Sequence, residues 1–176
     1  AESAQDLVLQ NKMQRKLGQL TGTCFQRCVG MDALNSLHST TFEIDEKHST
    51  KYHERLLEFI KMVQHENLVI GGAMTDVKGD RSLAPSEQED PDLFLHIVDR
   101  DDKGVYVTGA KAHQTGTINS HWMIVMPTMR LLENDKDCAI VGALPVDAPG
   151  ITYIYGRQSC DTVSYTHLTL PTTYTV

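Results

Sequence analysis

The chain has 176 residues, a formal net charge of −7 at pH 7, and 40% hydrophobic residues. This length suits one ordinary domain or parts of two, and the apolar content supports a packed core. The acidic balance argues against nucleic acid and anionic membranes as partners, and no apolar run approaches the roughly 18 residues that span a bilayer. Four cysteines without a recognisable secretion signal favour a cytoplasmic protein.

The first part of the chain predicts helices. Apolar residues at helical spacing predict one helix over residues 3–20 and a second, after Gly22, over residues 23–37. Residues 38–47 are polar and are expected to be irregular. A third helix is predicted over residues 50–66, with an apolar stripe that packs in the core and with Ser49 or Thr50 as its N-cap.

After residue 67 the composition changes to short apolar runs separated by turns. Residues 68–76 form an apolar run that is predicted to end in a glycine turn, and residues 77–91 form a polar loop. Strand-like runs follow at 93–98, 105–108, 118–126, 139–144 and 151–155, and residues 101–104 carry a hairpin signal. Helices followed by strands predict an α+β fold, and the short strands predict an antiparallel sheet or barrel.

The last segment, residues 163–176, is rich in threonine and contains no Asp, Glu, Lys or Arg. It resembles translated vector or adaptor sequence, so we predict a non-native tail and exclude it from fold reasoning. A genuine threonine-rich strand is the alternative.

Cys24 and Cys28 lie four positions apart. On a helix both thiols project from one face about one turn apart, which suits two thiolates that bind one metal ion or cluster. Spacing alone is a weak signal, because paired cysteines on a helix are usually inert small apolar residues.

The polar loop contains a second candidate site at Gly79, Arg81 and Ser82. Glycine lets the backbone approach a ligand, and arginine supplies a fork of hydrogen-bond donors. An Asp–Arg pair in a polar loop is, however, more often a solvated ion pair.

Three segments, residues 22–28, 75–82 and 109–116, carry a resemblance to a known family. Over residues 4–162 the chain resembles the 4-hydroxybutyryl-CoA dehydratases, which are flavin and iron–sulfur enzymes related to the 4-hydroxyphenylacetate 3-hydroxylases. The second and third segments also look like flavin-contacting segments of the aromatic hydroxylases. The cysteine pair indicates the dehydratase branch, because the hydroxylases carry no cluster.

The resemblance implies two flavin-contacting stretches, residues 74–82 (the first stretch) and residues 113–116 (the second stretch). The implied FAD contacts are Met74, Thr75, Asp76, Lys78, Gly79, Asp80, Arg81, Ser82, His113, Gln114, Thr115 and Gly116.

The resemblance also implies Cys24 and Cys28 as two ligands of a [4Fe–4S] cluster. The remaining histidine and cysteine ligands of the family are expected beyond residue 162, and Cys138 and Cys160 are poor substitutes. Arg15 and Gln26 match polar residues near the substrate and cluster, and Arg15 suits an anionic group of coenzyme A.

The implied architecture is acyl-CoA-dehydrogenase-like. Residues 1–66 are expected to form a partial N-terminal helical segment and residues 67–162 a flavin-contacting antiparallel β-barrel, with the C-terminal helical bundle missing. The implied activity is dehydration of 4-hydroxybutyryl-CoA to crotonyl-CoA, with vinylacetyl-CoA isomerase activity, in a homotetramer. The alternatives are an FAD-dependent aromatic hydroxylase without iron, or a non-catalytic fragment.

Overall fold

The computed structural model describes residues 3–22, 27–102, 104–114 and 116–154, and for residues 27–30 it describes the backbone. Helices precede strands in these ranges, which confirms the α+β class. The elements are α1 (Ala4–Thr21), α2 (Arg27–His48), α3 (Tyr52–His65), β1 (Ile70–Ala73), β2 (His96–Asp101), β3 (Gly104–Thr108), β4 (Trp122–Val125) and β5 (Gly142–Pro145). Short 3-10 helices lie at Pro85–Glu87, Thr117–Asn119 and Glu133–Cys138. None of the described helices is long and apolar enough to cross a bilayer.

Helix α1 confirms the first predicted helix and has well-formed ends. The Ser3 hydroxyl accepts a hydrogen bond from the Asp6 N–H, and the Asp6 carboxylate accepts one from the Ser3 N–H. This reciprocal arrangement satisfies two backbone donors that the helix leaves unpaired. The helix ends at Gly22, whose φ of 67° is a left-handed conformation that glycine adopts without strain.

Helix α2 continues to His48, so the prediction that residues 38–47 are irregular is wrong. The hydroxyl-bearing residues of this segment bond within the helix: Ser39 Oγ donates to the Ser36 carbonyl at 3.1 Å, and Thr41 Oγ1 donates to the Leu37 carbonyl at 2.7 Å. Such side chains favour turns when they compete with the helix. Here α2 is held along its length because it packs against α3 and β1, and tertiary contact overrides weak local propensity.

Asp45, near the end of α2, caps the start of α3, which corrects the prediction of Ser49 or Thr50. Its carboxylate accepts hydrogen bonds from the Tyr52 and His53 N–H groups at 3.0 and 2.9 Å, and Thr50 Oγ1 donates to it at 2.5 Å. Burial acts to raise the pKa of Asp45, but these hydrogen bonds prevail and hold it below the ordinary value. The loop between the two helices is therefore fixed by one carboxylate.

The main sheet has the strand order β1-β4-β5. Strand β1 is parallel to β4, with Ile70 opposite Trp122, whereas β5 is antiparallel to β4. The other described strands, β2 and β3, form a separate antiparallel hairpin at the predicted position. The described strands thus form a mixed sheet and a hairpin, and they do not close into a barrel.

Several strand boundaries differ from the predictions. Gly71 lies within β1 instead of a turn, and a Cβ there would approach Ser120 Oγ to 2.8 Å, so glycine permits this close packing. The run at 118–126 begins as a 3-10 helix and becomes β4 only at Trp122. Residues 151–154 form no strand.

Strand β4 lies at the centre of the core, and its side chains alternate between the two faces of the sheet. Ile124 packs with Ala33 of α2 and Val63 of α3, which confirms core packing for Val63 of the predicted α3 stripe, whereas Tyr52 of that stripe is 50% exposed. Met123 and Val125 pack on the opposite face with Ala73. A third cluster (Val77, Phe94, Ala110 and Ala112) lies beside this sheet. The predicted division at residues 66 and 67 separates helices from strands, and as a domain boundary it stays a prediction.

Candidate functional site

The structure brings the first stretch next to the segment that leads into the second stretch. Asp76 and Lys111 form an antiparallel β-bridge, and the Ala112 N–H donates to the Thr75 carbonyl at 2.9 Å. Ala110 in turn bridges Phe94. Because the first stretch follows β1 directly, the main sheet fixes where this surface lies.

A buried ion pair joins these segments. The Lys111 ammonium contacts Asp76 Oδ1 and also donates to the Met74 carbonyl at 3.3 Å and the Met126 carbonyl at 2.8 Å. The other carboxylate oxygen of Asp76 accepts hydrogen bonds from the N–H and hydroxyl of Thr128, both at 3.0 Å. The Lys111 and Asp76 side chains are only 3% and 7% exposed, so both charged groups are paired with groups inside the protein.

Lys111 was not among the predicted site residues. Its signal in the sequence is the run of small residues around it, Gly109, Ala110 and Ala112, because a lysine in a small apolar segment is more often internal than solvated. Asp76 was predicted to contact FAD. Its carboxylate is committed to Lys111 and Thr128, which leaves its backbone as the part that could meet a ligand.

The turn around Gly79 is supported from one side by Gln88. Gln88 accepts a hydrogen bond from the Asp80 N–H and donates to the Asp80 carbonyl, both at 2.9 Å. Gly79 has a φ of 49°, and a Cβ there would lie 2.5 Å from Gln88 Oε1 and 2.6 Å from Leu93 Cδ2. Glycine adopts this left-handed conformation without strain, and a Cβ would have to displace the ends of the Gln88 and Leu93 side chains.

Asp80 organises the exposed side of this turn. Its carboxylate accepts hydrogen bonds from the hydroxyl and N–H of Ser82, at 2.6 and 2.9 Å, and these bonds lower its pKa. Arg81 lies between Asp80 and Ser82 in the sequence and is exposed, as are Thr75 and Lys78. The turn thus presents a guanidinium on a fixed backbone, an arrangement suited to an anionic group.

The second stretch contains a polar atom that no described residue satisfies. Gln114 donates through Nε2 to the Ala112 carbonyl, but its Oε1 is buried and has no hydrogen-bond partner among the described residues. A buried acceptor in this state costs about 1–3 kcal/mol, so a ligand donor there would be favourable. His113 is exposed with a φ of 58°, and the Gly116 carbonyl accepts from Ser120 Oγ at 2.8 Å. Thr115 lies outside the described residues.

The predicted cluster ligands lie where the structure gives no side-chain geometry. Cys24, Gln26 and Cys160 fall outside the described residues, and for Cys28 only the helical backbone of α2 is described. Arg15 is exposed on α1. The described residues contain no group of three or more His, Cys, Asp or Glu side chains placed to hold a metal ion.

Cys138 does not resemble a metal ligand. It is a half-buried free thiol that borders a cavity of about 10 Å³ beside Asp76 and Lys111. Burial, together with the negative charges of Asp135, Asp76 and Asp137, raises its pKa. The thiol therefore stays protonated at neutral pH, whereas metal binding requires the thiolate.

Comparison with known proteins extends these observations. The family model described as 4-hydroxyphenylacetate 3-hydroxylase N terminal matches residues 1–175. A curated 4-hydroxybutyryl-CoA dehydratase/vinylacetyl-CoA-Delta-isomerase from Clostridium aminobutyricum is 59% identical over 92% of this chain and 33% of its own length. The chain thus spans about a third of that relative.

Solved structures also show similarity to a dehydratase and to a hydroxylase. An oxygen-tolerant archaeal 4-hydroxybutyryl-CoA dehydratase from N. maritimus matches with a TM-score of 0.85 and 82% identity, over 92% of this chain and 32% of the other. The oxygenase component of 4-hydroxyphenylacetate 3-monooxygenase, solved with FAD, matches at 21% identity with a TM-score of 0.58, over 71% of this chain and 26% of the other. The second likeness shows a shared fold. The chain therefore belongs to the 4-hydroxyphenylacetate 3-hydroxylase N-terminal family and, within it, is similar to the 4-hydroxybutyryl-CoA dehydratases.

Proposed function

We propose that this chain is the flavin-contacting part of an FAD- and [4Fe–4S]-dependent 4-hydroxybutyryl-CoA dehydratase. The reaction is conversion of 4-hydroxybutyryl-CoA to crotonyl-CoA, accompanied by vinylacetyl-CoA isomerase activity. The high identity to dehydratases from two organisms supports the reaction class. The observation that carries the cofactor assignment is the pairing of the first stretch with residues 111–112, which lead directly into the second stretch and its buried acceptor, unpaired among the described residues.

The residues of this surface fit a flavin. Gln114 Oε1 is an acceptor for which the described part of the chain supplies no donor, and the isoalloxazine ring carries an N–H group that can supply one. Arg81 is an exposed cation on a turn that Gln88 holds by hydrogen bonds, and it suits the diphosphate of FAD. Gly79 and Gly116 are proposed to contact the flavin through their backbone, since neither residue has a side chain.

The cluster assignment rests on Cys24 and Cys28, with Arg15 and Gln26 near the substrate. Thiolates are the ligands that iron–sulfur centres prefer, and the guanidinium of Arg15 suits an anionic group of the CoA thioester. The bound groups supply electron transfer at the flavin and Lewis-acid assistance to the departing hydroxyl at the cluster. The chain's own residues contribute binding and orientation.

The same resemblance leads us to propose a cytoplasmic homotetramer without nucleic-acid or membrane partners. We also propose that the 176-residue chain alone is inactive and retains FAD weakly. Ligand contacts give affinity only when all walls of a pocket are present, and the chain covers 33% of the curated dehydratase.

The experiment uses the dehydratase-length polypeptide, reconstituted anaerobically with iron, sulfide and FAD. Iron content, flavin absorbance and turnover of 4-hydroxybutyryl-CoA are measured on the same preparations. Cys24→Ser should lose iron and lower turnover by orders of magnitude while it keeps FAD, because serine is a poor ligand for iron–sulfur centres. Cys138→Ser is the matched control, since this thiol is half-buried, lines a small cavity together with Asp76 and Lys111, and is not a proposed ligand.

Full iron and full activity in Cys24→Ser would make the cysteines structural and refute the cluster assignment. The second candidate function, an aromatic hydroxylase, would gain support from a wild-type protein that binds FAD, holds no iron and does not convert 4-hydroxybutyryl-CoA. It is favoured by the match of residues 1–175 to the 4-hydroxyphenylacetate 3-hydroxylase N-terminal family model, and it requires FAD without iron. Iron content of the wild-type protein therefore separates the two functions directly.

A further inference from the structure

We propose that Lys111 and Asp76 are positioning residues that hold the two flavin-contacting stretches in a fixed relation. The inference rests on the proposed function, because it concerns the same FAD surface. Neither charged group is open to a ligand, since both side chains are more than nine-tenths buried. The pair therefore acts on the flavin through the backbone that it holds in place.

Lys111 connects the ends of two strands to the approach of the second stretch. Strands β1 and β4 are parallel, so the residues that follow them, Met74 and Met126, emerge at the same edge of the sheet. The Lys111 ammonium donates to the carbonyls of both residues and to the Asp76 carboxylate. An ammonium has three N–H donors, and each has one acceptor here.

Asp76 completes the connection on the other side. Its second carboxylate oxygen accepts hydrogen bonds from the N–H and hydroxyl of Thr128, which lies two positions after Met126. A single ion pair therefore fastens residues 74–76, residue 111 and residues 126–128 together. The second stretch begins two positions after Lys111, at a left-handed His113, so a shift of the lysine would move the buried oxygen of Gln114.

A purely stabilising role accounts less well for this pair. Burying two charges costs much of what their attraction returns, and well-packed apolar residues often match such a pair in stability. An ion pair with five hydrogen-bonded or charged contacts does specify where each segment lies. Geometry at the FAD surface is therefore the property that should fail when the pair is removed.

The test compares four variants of the dehydratase-length protein: Asp76→Asn, Lys111→Met, the double variant that combines them, and Asp135→Asn. Asp135 is the matched control, because its carboxylate is equally buried, at 1% exposure, but binds the N–H groups of Ser86 and Leu132 instead of either stretch. The FAD dissociation constant is measured by fluorescence titration. The Tm and the hydrogen exchange of the segment that contains the Ala112 amide are measured without FAD.

We expect both single variants and the double variant to bind FAD at least tenfold more weakly than wild type. The double variant leaves no unpaired charge buried, so its Tm should lie above that of the single variants while its FAD affinity stays low. Exchange at Ala112 should accelerate in the Lys111→Met variant, because its bond to Thr75 lies beside the lost anchor. Asp135→Asn should lower the Tm and leave the FAD dissociation constant within twofold.

The inference is overturned if FAD affinity follows Tm across all four variants, or if the variants without the ion pair bind FAD as wild type does. A wild-type protein that retains no FAD refutes the proposed function, and the inference falls with it. The two failures are therefore distinguished by the wild-type titration alone.

Discussion

Replacing Gly109 by alanine tests the close contact between two backbone segments that precedes the second stretch. Gly109 has a φ of 130°, and a Cβ built on it would lie 2.5 Å from the N and Cα atoms of Leu95 and from the carbonyl carbon of Phe94. All three are backbone atoms, so no side-chain rotation can relieve the contact. The two segments would have to separate, and the bridge between Phe94 and Ala110 would be strained.

Two terms set the size of the stability loss expected for Gly109→Ala. A non-glycine residue in a sparsely populated backbone conformation costs about 1–3 kcal/mol, and forced displacement of packed segments costs about 1–3 kcal/mol more. The free energy of unfolding should therefore fall by about 2–6 kcal/mol for Gly109→Ala. For a chain of this size a loss of 1 kcal/mol lowers the Tm by about 2–4 °C, so we expect a drop of roughly 4–24 °C.

Urea denaturation and thermal melting of the 176-residue chain measure this loss. Gly150→Ala is the matched control, because Gly150 has a φ of 93° and no heavy atom lies within 4 Å of its built Cβ. It should show the backbone term alone, about 1–3 kcal/mol. Equal losses in the two variants would show that the Gly109 contact contributes nothing, and an unchanged Gly109→Ala would refute the geometry itself.

Three further predictions concern stability. Burial acts to raise the pKa of Asp135, but its hydrogen bonds from Leu132 and Ser86 prevail and lower it. Its stabilisation is therefore present above the unfolded pKa of about 3.9 and is lost as pH falls towards the folded value. Asp135→Asn should flatten the decline of unfolding free energy with acid, and an unchanged slope would contradict this. Asp45→Ala should reduce helical circular dichroism by fraying the start of α3, whereas Asp45→Asn, which keeps an acceptor, should lose less; equal losses would remove Asp45 as the cap. Deletion of residues 163–176 should leave the Tm unchanged or raise it, and a clear loss would identify that segment as a genuine strand.

The sequence by itself determined the features that local signals encode. Helical spacing of apolar residues located α1 and α3, because a helix places residues three and four apart on one face whatever its surroundings. The hairpin between β2 and β3 was equally local, since a tight turn joins strands that are adjacent in the chain. The three motif segments identified the family, which the family model and the dehydratase relatives confirm.

Pairings between distant segments were decided by the tertiary structure. Strand β1 is parallel to β4, which follows far along the chain, and no turn signature marks such a pair. Helix α2 continues through a serine- and threonine-containing segment because α3 and β1 pack along it. Asp45 caps a helix other than its own, and a reading of neighbouring residues favours Ser49 or Thr50 instead.

The site shows the same division. The sequence predicted both stretches, but it predicted Asp76 as a ligand contact and did not predict a role for Lys111. Burial decided their roles, because a charge removed from water must find an opposite charge and hydrogen-bond partners. Those partners are the carbonyls of Met74 and Met126 and the N–H of Thr128, and only the folded sheet brings them within 3.3 Å.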